Sequence, residues 1–364
     1  MFGQSTLNFG QSAPAQVNSN PNNDYIVPSS PSDTITSVHF DNTNQYICGT
    51  SWNKDICVWQ VQQSAQPQTT TFSTVSTSAS IQAQPKAKTT SAQPVLCSTW
   101  APDSSSIMYG SCDNTVKMWN LSTNQSQQIG QHSAAVKDIY WSTTLNMCIT
   151  SSWDKTIKYW DIRSSNQQPV GTVDMKERVY SMDVRGQLLV CGTADRQLHI
   201  INLQQPTTIY KSQESPLKFQ TRCVSCFTDQ QGFCIGGVEG RVGVVNITET
   251  ATKKNFQFKC HREGKDNNDV YSVNSISFNE SQGTFATCGS DGTYVYWDKD
   301  AKSRLKAFNK HPNSITCSTF SSNSMMFAYA IGYDWSKGHT EYQQHKVPCE
   351  IHIHSVQATD IKKK

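Results

Sequence analysis

Aspartates at short polar turns are the first residues whose type and spacing suggest chemistry. They are Asp113, Asp154, Asp195 and Asp291. A carboxylate at such a turn, together with His132 and Ser152, is a combination that can activate a nucleophile. The combination recurs in similar form along the chain, so equivalent groups would lie on different structural units. They would then be too dispersed to act on one substrate, and we expect no catalytic residues.

Three other patterns suggest chemistry less specifically. Cys223 and Cys226 have the CxxC spacing of a zinc site, but there is no second CxxC and the surrounding CVSCF is typical of a strand. Ser152 to Lys155 has the SxxK spacing of some acyl-transfer enzymes, and it recurs at Ser51 to Lys54 without a companion motif. His352 and His354 share one face of a strand with no third ligand, which favours packing or solvent exposure. No metal and no cofactor are expected.

These residues belong to a repeat. Seven segments end in an aromatic or β-branched residue followed by a polar one: ICVWQ (56–60), VKMWN (116–120), IKYWD (157–161), LHIIN (198–202), VGVVN (242–246), YVYWD (294–298) and IHIHS (351–355). From Trp119 onward the spacings are 41, 41 and 44 residues, matching one four-stranded propeller blade of about 40–45 residues. The sequence therefore predicts an all-β fold, a seven-bladed β-propeller of WD repeats. In such blades a His, a Ser or Thr, the turn Asp and the strand Trp form a structural unit, here His132, Ser152, Asp154 and Trp160.

The domain boundaries follow from composition. Residues 1–23 and the Gln/Ser/Thr-rich insert at 62–94 have few large apolar groups and are expected to be disordered. The propeller then spans 24–358, and a basic tail occupies 359–364. A ring must close without an exposed sheet edge, so the N-terminal strand near Tyr25 to Val27 is expected to complete the last blade.

The overall composition excludes several classes. The net charge of +3 over 364 residues is too small to indicate nucleic-acid binding by itself. The 13 cysteines form an unpatterned, odd-numbered set, which predicts reduced thiols packed in the core of an intracellular protein. No apolar run approaches the length of a membrane span or of a signal peptide, so we expect a soluble protein with no membrane partner.

One candidate surface combines aromatic and cationic residues. Trp52 and Trp153 stand just before the turn Asn or Asp, where a blade normally carries a small or polar residue at a loop tip. Large aromatics there are natural binding anchors, although each could instead pack on a neighbouring loop. Lys218, Arg222 and Arg241, on the other half of the ring, could pair with the carboxylates of an acidic amphipathic segment, or could simply be solvated.

A second candidate surface lies in FQFKCHREGK (256–265) and WDKDAKSRLKAF (297–308). It carries Phe258, Trp297, Lys299, Lys302 and Arg304 on blades five and six. Basic groups interleaved with aromatics are typical of surfaces that bind single-stranded nucleic acid or an acidic mimic. The alternative is a solvated basic rim in which Trp297 is the ordinary blade tryptophan.

Segments beyond the generic repeat resemble one family. SSWDKTIKYWDIRSSN, ESPLKFQTRCV, EGRVGVVNI, NFQFKCHR and FAYAIGYDWSKGH together are similar to the messenger-RNA export factor family of WD-repeat propellers, over about residues 24 to 340. The resemblance implies a non-enzymatic docking protein that binds the GLEBS segment of an FG-repeat nucleoporin and RNA or RNA–protein cargo. It also implies a location in the nucleus and at the nuclear pore, with some protein in the cytoplasm.

The same resemblance assigns roles to the two candidate surfaces. It implies that Trp52, Trp153, Lys218, Arg222 and Arg241 form the GLEBS-binding face. Phe258, Trp297, Asp298, Lys299, Lys302 and Arg304 would form the nucleic-acid side, with Lys302 standing where the family usually has Arg. The propeller itself is expected to be monomeric apart from its partner.

A related propeller of the mitotic spindle checkpoint, which binds GLEBS segments of checkpoint kinases, is the alternative, with checkpoint or spindle proteins as partners. The dipeptides Phe2-Gly3 and Phe9-Gly10, RSSN after blade three, and YDWSKGH favour the export factor.

Overall fold

Alternating apolar residues, separated every few positions by turns rich in Ser, Asn, Asp and Gly, fold into seven four-stranded antiparallel sheets. The structure, a computed structural model, describes residues 19–64, 80–164, 166–250, 254–340 and 349–363. The seven segments that end the repeats are the third strands of the seven sheets. The prediction of a seven-bladed propeller is confirmed.

The strands of each blade are given from the axis outward. Blades one to three comprise Ile35–Phe40, Tyr46–Ser51, Asp55–Ser64 and Ser80–Thr90 (β2–β5); Val95–Trp100, Ser106–Ser111, Thr115–Asn120 and Gln125–Gln131 (β6–β9); and Val136–Ser142, Met147–Ser152, Thr156–Trp160 and Gly171–Asp174 (β10–β13). Blades four and five comprise Val179–Arg185, Leu188–Thr193, Gln197–Asn202 and Ile209–Glu214 (β14–β17); and Thr221–Cys226, Gly232–Gly237, Arg241–Asn246 and Phe256–Lys259 (β18–β21). A small sheet of Arg262–Glu263 and Asp269–Val270 (β22, β23) follows, with a 3-10 turn at Lys265–Asn267 between its strands. Blade six comprises Val273–Phe278, Phe285–Gly289, Tyr294–Asp298 and Ser303–Ala307 (β24–β27); blade seven comprises Ile315–Phe320, Met326–Ile331, Glu350–Ser355 and Tyr25–Ile26 (β28–β30, β1).

The ring closes in chain order. The innermost strand of each blade contacts the innermost strand of the next, and β28 of blade seven contacts β2 of blade one. Because all four strands of a blade are antiparallel, the loops between second and third strands share one side of the disc with the loops between blades. We call this side the upper face, and the opposite side the lower face.

The turn between the second and third strands explains the recurring aspartates. In blades one, two, three and six the turn Asp or Asn accepts the backbone N–H of the residue two positions later, as in Asp154 Oδ1 with Thr156 N at 3.0 Å and Asp291 Oδ1 with Thr293 N at 3.1 Å. The residue between them adopts a left-handed conformation, and blades three and six place Lys155 (φ 70°) and Gly292 (φ 77°) there. These carboxylates shape the turn.

The closing blade takes its outermost strand from the N-terminus. Tyr25 pairs with Ile353, Ile26 pairs with His352, and the N–H of Val27 bonds to the carbonyl of Ile351 at 2.8 Å. The strand starts beside a buried polar cluster, where His354 Nδ1 lies 2.7 Å from Asp24 Oδ1. The Tyr329 hydroxyl also donates to Asp24, at 2.7 Å. His354 therefore ties the chain ends together, in addition to packing.

Much of the insert predicted to be disordered is a strand. Residues 80–90 pair with an extended third strand that continues to Ser64, giving a hairpin longer than in any other described blade. Its apolar side buries Val61, Ile81 and Ala83 in the core between blades one and seven. The Tyr25 hydroxyl bonds to the backbone of Ala83 from blade seven, donating to its carbonyl at 3.2 Å and accepting its N–H at 2.9 Å. The prediction of disorder for 62–94 is therefore wrong over residues 62–64 and 80–90. Apolar residues there alternate with polar ones, which is the pattern of a strand with one buried side.

The ends of the chain are also more ordered than expected. Within 1–23, Asn22 exchanges hydrogen bonds with Asn309, donating to its carbonyl at 3.1 Å and accepting its N–H at 2.8 Å. In the predicted basic tail, a short helix, Ala358–Ile361 (α1), buries Asp360 and Ile361 against blade six. Residues 1–18, 65–79 and 364 lie outside the described residues, so the expectations there stay predictions.

Most of the cysteines lie in the core. Ten of the 13 cysteines are buried and all are free, which confirms the prediction of thiols packed in the core. Among the described residues no helix is long and apolar enough to cross a membrane.

Candidate docking surfaces

A cavity of about 740 Å³ occupies the propeller axis and opens on the upper face. Near the start of each innermost strand, one residue is skipped by the pairing with the second strand, which is a β-bulge. The bulge aims that residue's side chain at the cavity mouth. The seven bulge residues, from blade one to blade seven, are Thr36, Leu96, Lys137, Tyr180, Arg222, Asn274 and Thr316, and all line the cavity.

Trp52 and Trp153 lie on the upper face at equivalent positions, directly after the second strands of blades one and three. Each backbone N–H is bonded to the preceding inter-blade loop, from Trp52 to Thr34 O at 3.0 Å and from Trp153 to Ala135 O at 3.1 Å. With their backbones held in this way, the side chains remain 39% and 37% exposed. Both also line the cavity mouth. Neither side chain is therefore buried under a neighbouring loop.

The three predicted cations lie on the upper face of blade five, in two arrangements. Arg222 occupies the bulge and its side chain is exposed at the cavity mouth, without a hydrogen bond or ion pair to another residue in the part of the chain that the structure describes. Lys218 and Arg241 meet around Glu239 instead. The Glu239 carboxylate accepts the backbone N–H of Lys218 at 2.8 Å and lies 3.6 Å from Arg241 Nε. Glu239 therefore neutralises part of the predicted charge.

Sequence reasoning missed two apolar residues beside these cations. Phe219 is 58% exposed, and its N–H also reaches Glu239, at 3.3 Å. Val238 is exposed at the blade-five position that corresponds to Trp52 and Trp153, with its N–H bonded to Gln220 O at 3.1 Å. Val238 could have been found from the sequence, because it occupies in blade five the position that Trp52 and Trp153 occupy in blades one and three. Nothing in the repeat indicates Phe219.

Most of the second predicted set lies at the lower end of blade six, whereas Phe258 pairs with Val242 in the upper half of the outer strand of blade five. Phe258 and Trp297 are half-buried with ring centroids 4.6 Å apart, and the Trp297 indole donates to Thr287 Oγ1 at 2.9 Å. Lys302 and Arg304 are exposed, and Lys302 Nζ lies 4.9 Å above the Phe256 ring. Cationic side chains beside aromatic edges therefore do occur on this side.

Two members of that set are not on the surface. Asp298 is 2% exposed, and its carboxylate accepts the N–H groups of Asp300 and Ala301 at 2.8 and 3.1 Å. The Lys299 side chain is 10% exposed, pairs with Asp300 at 2.7 Å and lies 4.8 Å above the Phe227 ring. Both residues are used within the fold, because the turn between the third and fourth strands needs its carboxylate and the blade interface takes the lysine stem.

The relay-like combination in blade three is a buried brace. His132 Nδ1 lies 2.8 Å from Asp154, His132 Nε2 lies 2.8 Å from Thr150 Oγ1, and the Trp160 indole donates to the same hydroxyl at 2.7 Å. The hydroxyl was predicted to be Ser152. Ser152 instead donates to Ala135 O at 2.9 Å, because it lies two residues nearer the turn than Thr150, which pairs with Lys158.

Burial governs the protonation of this brace. It lowers the pKa of His132, even though the bond to Asp154 opposes the shift. Burial would raise the pKa of Asp154, but hydrogen bonds from His132, Thr156 and the Ser133 N–H hold it well below the ordinary value. A neutral histidine held by a buried carboxylate in this way positions the strands of the blade.

Blade six repeats the brace with His261, Thr287, Asp291 and Trp297. His261 lies 2.9 Å from Asp291 and 2.8 Å from Thr287. Trp297 is therefore the ordinary blade tryptophan, as the alternative interpretation held, while its ring also contacts Phe258. Within the described residues no group of three or more His, Cys, Asp or Glu is arranged to hold a metal ion.

Comparison with known proteins agrees with this architecture. The family described as WD domain, G-beta repeat matches residues 24–60, 84–120, 123–161 and 253–298. Protein RAE1 of Arabidopsis thaliana is 43% identical over 352 residues, covering 97% of this chain and 96% of its own. The chain belongs to the mRNA export factor family. Two further members are the Poly(A)+ RNA export protein of Schizosaccharomyces pombe, 39% identical over 100% of this chain and 97% of its own, and mRNA export factor GLE2 of Chaetomium thermophilum, 39% identical over 93% and 92%.

The comparison with these relatives covers more of the chain than the repeat family does. It extends over nearly the whole chain, including most of blades four, five and seven, which the repeat family does not match. The resemblance inferred from short motifs is confirmed.

Proposed function

We propose that this chain is a non-enzymatic docking propeller of messenger-RNA export, and that its upper face binds the GLEBS segment of an FG-repeat nucleoporin. The observation that carries the proposal is the combination on one face of Trp52 and Trp153 with Arg222, all around the same cavity mouth. Exposed tryptophans supply apolar contact area at low entropy cost, while a guanidinium pairs with carboxylates. The printed names of the relatives, which refer to RNA export, support the same role.

The arrangement specifies the chemistry of the partner. An acidic amphipathic segment would place apolar side chains against the tryptophans of blades one and three and its carboxylates toward blade five. On binding, carboxylates of the partner would replace Glu239 as the partner of Arg241, whose present contact of 3.6 Å is long for an ion pair. We infer a location at the nuclear envelope and pore complex, with some protein in the cytoplasm.

Charge reversal tests this proposal. The double variant Arg222→Glu/Arg241→Glu should abolish binding of a synthetic GLEBS peptide, measured by isothermal titration calorimetry. A matched control is Lys86→Glu/Lys211→Glu, which makes the same change in net charge at exposed positions on the outer strands of blades one and four. Unchanged affinity in the first variant would overturn the proposal.

The lower side of blades five and six is proposed to contact RNA or RNA–protein cargo. Lys302 and Arg304 carry this part, because both are exposed and Lys302 lies over the Phe256 ring, whereas Lys299 is largely buried. If they contact phosphates, the affinity for single-stranded RNA should fall steeply with salt, and Lys302→Ala/Arg304→Ala should make the salt dependence shallower. An affinity independent of salt would reject direct backbone contact.

The spindle-checkpoint function is the alternative. It predicts that the chain captures a GLEBS-bearing kinase and accumulates at kinetochores. The names of the relatives favour export. Staining confined to the nuclear rim throughout division would support export over the checkpoint.

A further inference from the structure

A third exposed tryptophan stands on the upper face, and it arrives there by a different route. Trp335 lies in the loop between the second and third strands of blade seven, lines the same cavity mouth as Trp52 and Trp153, and is 42% exposed. Its backbone is left-handed, with φ 61°. A bulky residue in that region costs conformational energy and persists only where its surroundings impose it.

The residue that imposes this conformation is Asp334. Its carboxylate accepts a hydrogen bond from the Ser290 hydroxyl, from the Asn274 side-chain amide at 3.2 Å, and from the Ser336 backbone N–H at 3.2 Å. Burial would raise the pKa of Asp334, but these hydrogen bonds hold it below its ordinary value. The carboxylate is therefore an ionised acceptor at neutral pH, which gives strong bonds to its donors.

Two of those donors, Asn274 and Ser290, belong to blade six, at positions that have other roles in the other blades. Asn274 is the bulge residue of blade six, and it also donates to Ile315 O at 3.0 Å. Ser290 occupies the blade-six position that corresponds to Trp52 and Trp153, with its N–H bonded to Ser272 O at 2.9 Å. Blade six thus uses Ser290 to hold the loop of blade seven, at the position where blades one and three carry an exposed tryptophan.

The loop is also held on both sides of Trp335. The Thr34 hydroxyl donates to Tyr333 O at 2.7 Å, the Tyr333 hydroxyl donates to Gly338 O at 2.7 Å, and the Gly338 N–H donates to Trp335 O at 3.0 Å. The tryptophan ring stands 5.7 Å from the Tyr333 ring, centroid to centroid. A partly buried anchor and a fixed loop thus present one large apolar side chain at the cavity mouth.

We propose that Asp334 is a positioning residue that holds Trp335 as a third aromatic anchor for the acidic amphipathic segment bound on the upper face. This inference rests on the proposed function and adds blade seven to the surface predicted from blades one, three and five. A partner segment then meets apolar anchors on blades seven, one and three and cations on blade five, so it lies across the cavity mouth.

A double-mutant cycle tests the inference with a synthetic GLEBS peptide and the full chain. Trp335→Ala should weaken binding by about 30-fold, as expected of an aromatic hot spot. Asp334→Ala should weaken it by a similar factor in the native background and have no further effect in Trp335→Ala. If the two losses multiply instead, Asp334 acts independently of Trp335 and the inference is wrong.

A matched variant separates positioning from stability. Asp41 is a buried carboxylate of the lower face that also accepts several bonds, including the Gln45 N–H at 2.9 Å and the Ser104 hydroxyl at 2.9 Å. Asp41→Ala should lower the melting temperature as Asp334→Ala does, without changing peptide affinity. Equal affinity losses in both would overturn the positioning role.

The ring itself gives a second readout. With 5-fluorotryptophan incorporated, the fluorine resonance of Trp335, assigned by its absence in Trp335→Phe, should shift or broaden in Asp334→Ala and recover in part in Asp334→Asn. An unchanged resonance would overturn the inference. If the unmodified chain binds no GLEBS peptide, the proposed function and this inference fail together, whereas binding with multiplicative losses rejects the inference alone.

Discussion

The two faces of the disc differ in what their loops leave exposed. On the lower face the loops of neighbouring blades bond to each other through side chains. These bonds join Ser104 to Asp41 at 2.9 Å, Thr144 to Gly186 O at 2.9 Å, Gln230 to the Gln187 N–H at 2.9 Å, Ser324 to the Ser281 N–H at 3.0 Å and Asn44 to the Ser322 N–H at 2.8 Å. On the upper face side chains also hold some loops, as Asp334 does in blade seven, but large apolar side chains such as Trp52, Trp153 and Phe219 are left exposed.

The difference separates scaffold from working surface. Hydrogen bonds that loops make with each other stabilise the ring and leave little for a partner to gain, because those groups are already satisfied. Exposed aromatics contribute nothing to the ring until another molecule covers them, and apolar groups gathered on one face mark an interaction site. The loops of the lower face are thus bonded to each other, whereas the upper face leaves apolar side chains exposed.

The largest expected effect comes from the buried tryptophan of blade three. Trp160 is 1% exposed and belongs to the brace of His132, Thr150 and Asp154. Trp160→Ala should lower the free energy of unfolding by about 3–5 kcal/mol, because it leaves a cavity and removes a donor from a buried hydroxyl. Urea denaturation measures this loss. Peptide affinity of the folded fraction should be unchanged, and a large loss of affinity would mean that the brace also shapes the upper face.

Blade three also shows what the sequence could and could not predict. The strand ends and turn residues identified Trp160, Asp154 and the exposed Trp153, because a repeat marks both the positions that build it and the residues that depart from it. The choice between Thr150 and Ser152 could not be made, since residues two apart lie on the same side of a strand and only the register places Thr150 opposite Lys158, next to Trp160.

The second surface marks another limit. The family resemblance assigns Asp298 and Lys299 to the nucleic-acid side, yet the turn and the blade interface bury them. The sequence shows which residues are near each other along the chain, whereas their burial depends on contacts between blades five and six. The strand at Ser80–Thr90 was missed for the complementary reason, because Ile81, Ala83 and Ala87 are its few apolar residues that pack into the core, and they are spaced among polar ones.

The second prediction concerns the exposed tryptophan of the same blade, whose loss should weaken binding and leave stability unchanged. Trp153→Ala removes an exposed side chain seven residues from Trp160, and it should leave the free energy of unfolding within about 0.5 kcal/mol of the native value. It should weaken GLEBS-peptide binding by about 2–4 kcal/mol, measured by calorimetry. If Trp153→Ala destabilises the fold as Trp160→Ala does, the packing interpretation of Trp153 is right and the contrast between the faces is lost.

The third prediction concerns the long hairpin at the joint between blades one and seven. Ile81→Ala should destabilise the chain by about 2 kcal/mol, because Ile81 is buried against residues of both blades. Gln82→Ala, on the exposed side of the same strand, should change stability by less than about 0.5 kcal/mol. Thermal unfolding of the two variants checks the difference. Equal, negligible effects would show that the hairpin does not stabilise the joint between blades one and seven.

The smallest expected effect is the pH dependence of the closure, which rests on the cluster around Asp24 and His354. Burial would raise the pKa of Asp24, but hydrogen bonds from His354, Tyr329 and Tyr294 hold it below its ordinary 3.8. Burial would lower the pKa of His354, but the bonds to Asp24 and Asp360 hold it above its ordinary 6.5. Lys306 also faces the cluster, 2.8 Å from Asp360.

The two shifts set opposite limits on the stability that the cluster contributes. A lowered carboxyl pKa contributes stability above 3.8 that is lost as the pH falls through the folded value, and a raised histidine pKa contributes stability below 6.5 that is lost as the pH rises through the folded value. The contribution is therefore fully present between these two pH values. Urea denaturation from pH 4 to pH 9 should show His354→Gln losing stability relative to the native chain mainly below neutral pH, with the two curves converging as the pH rises. A constant difference across that range would mean that His354 acts through packing alone.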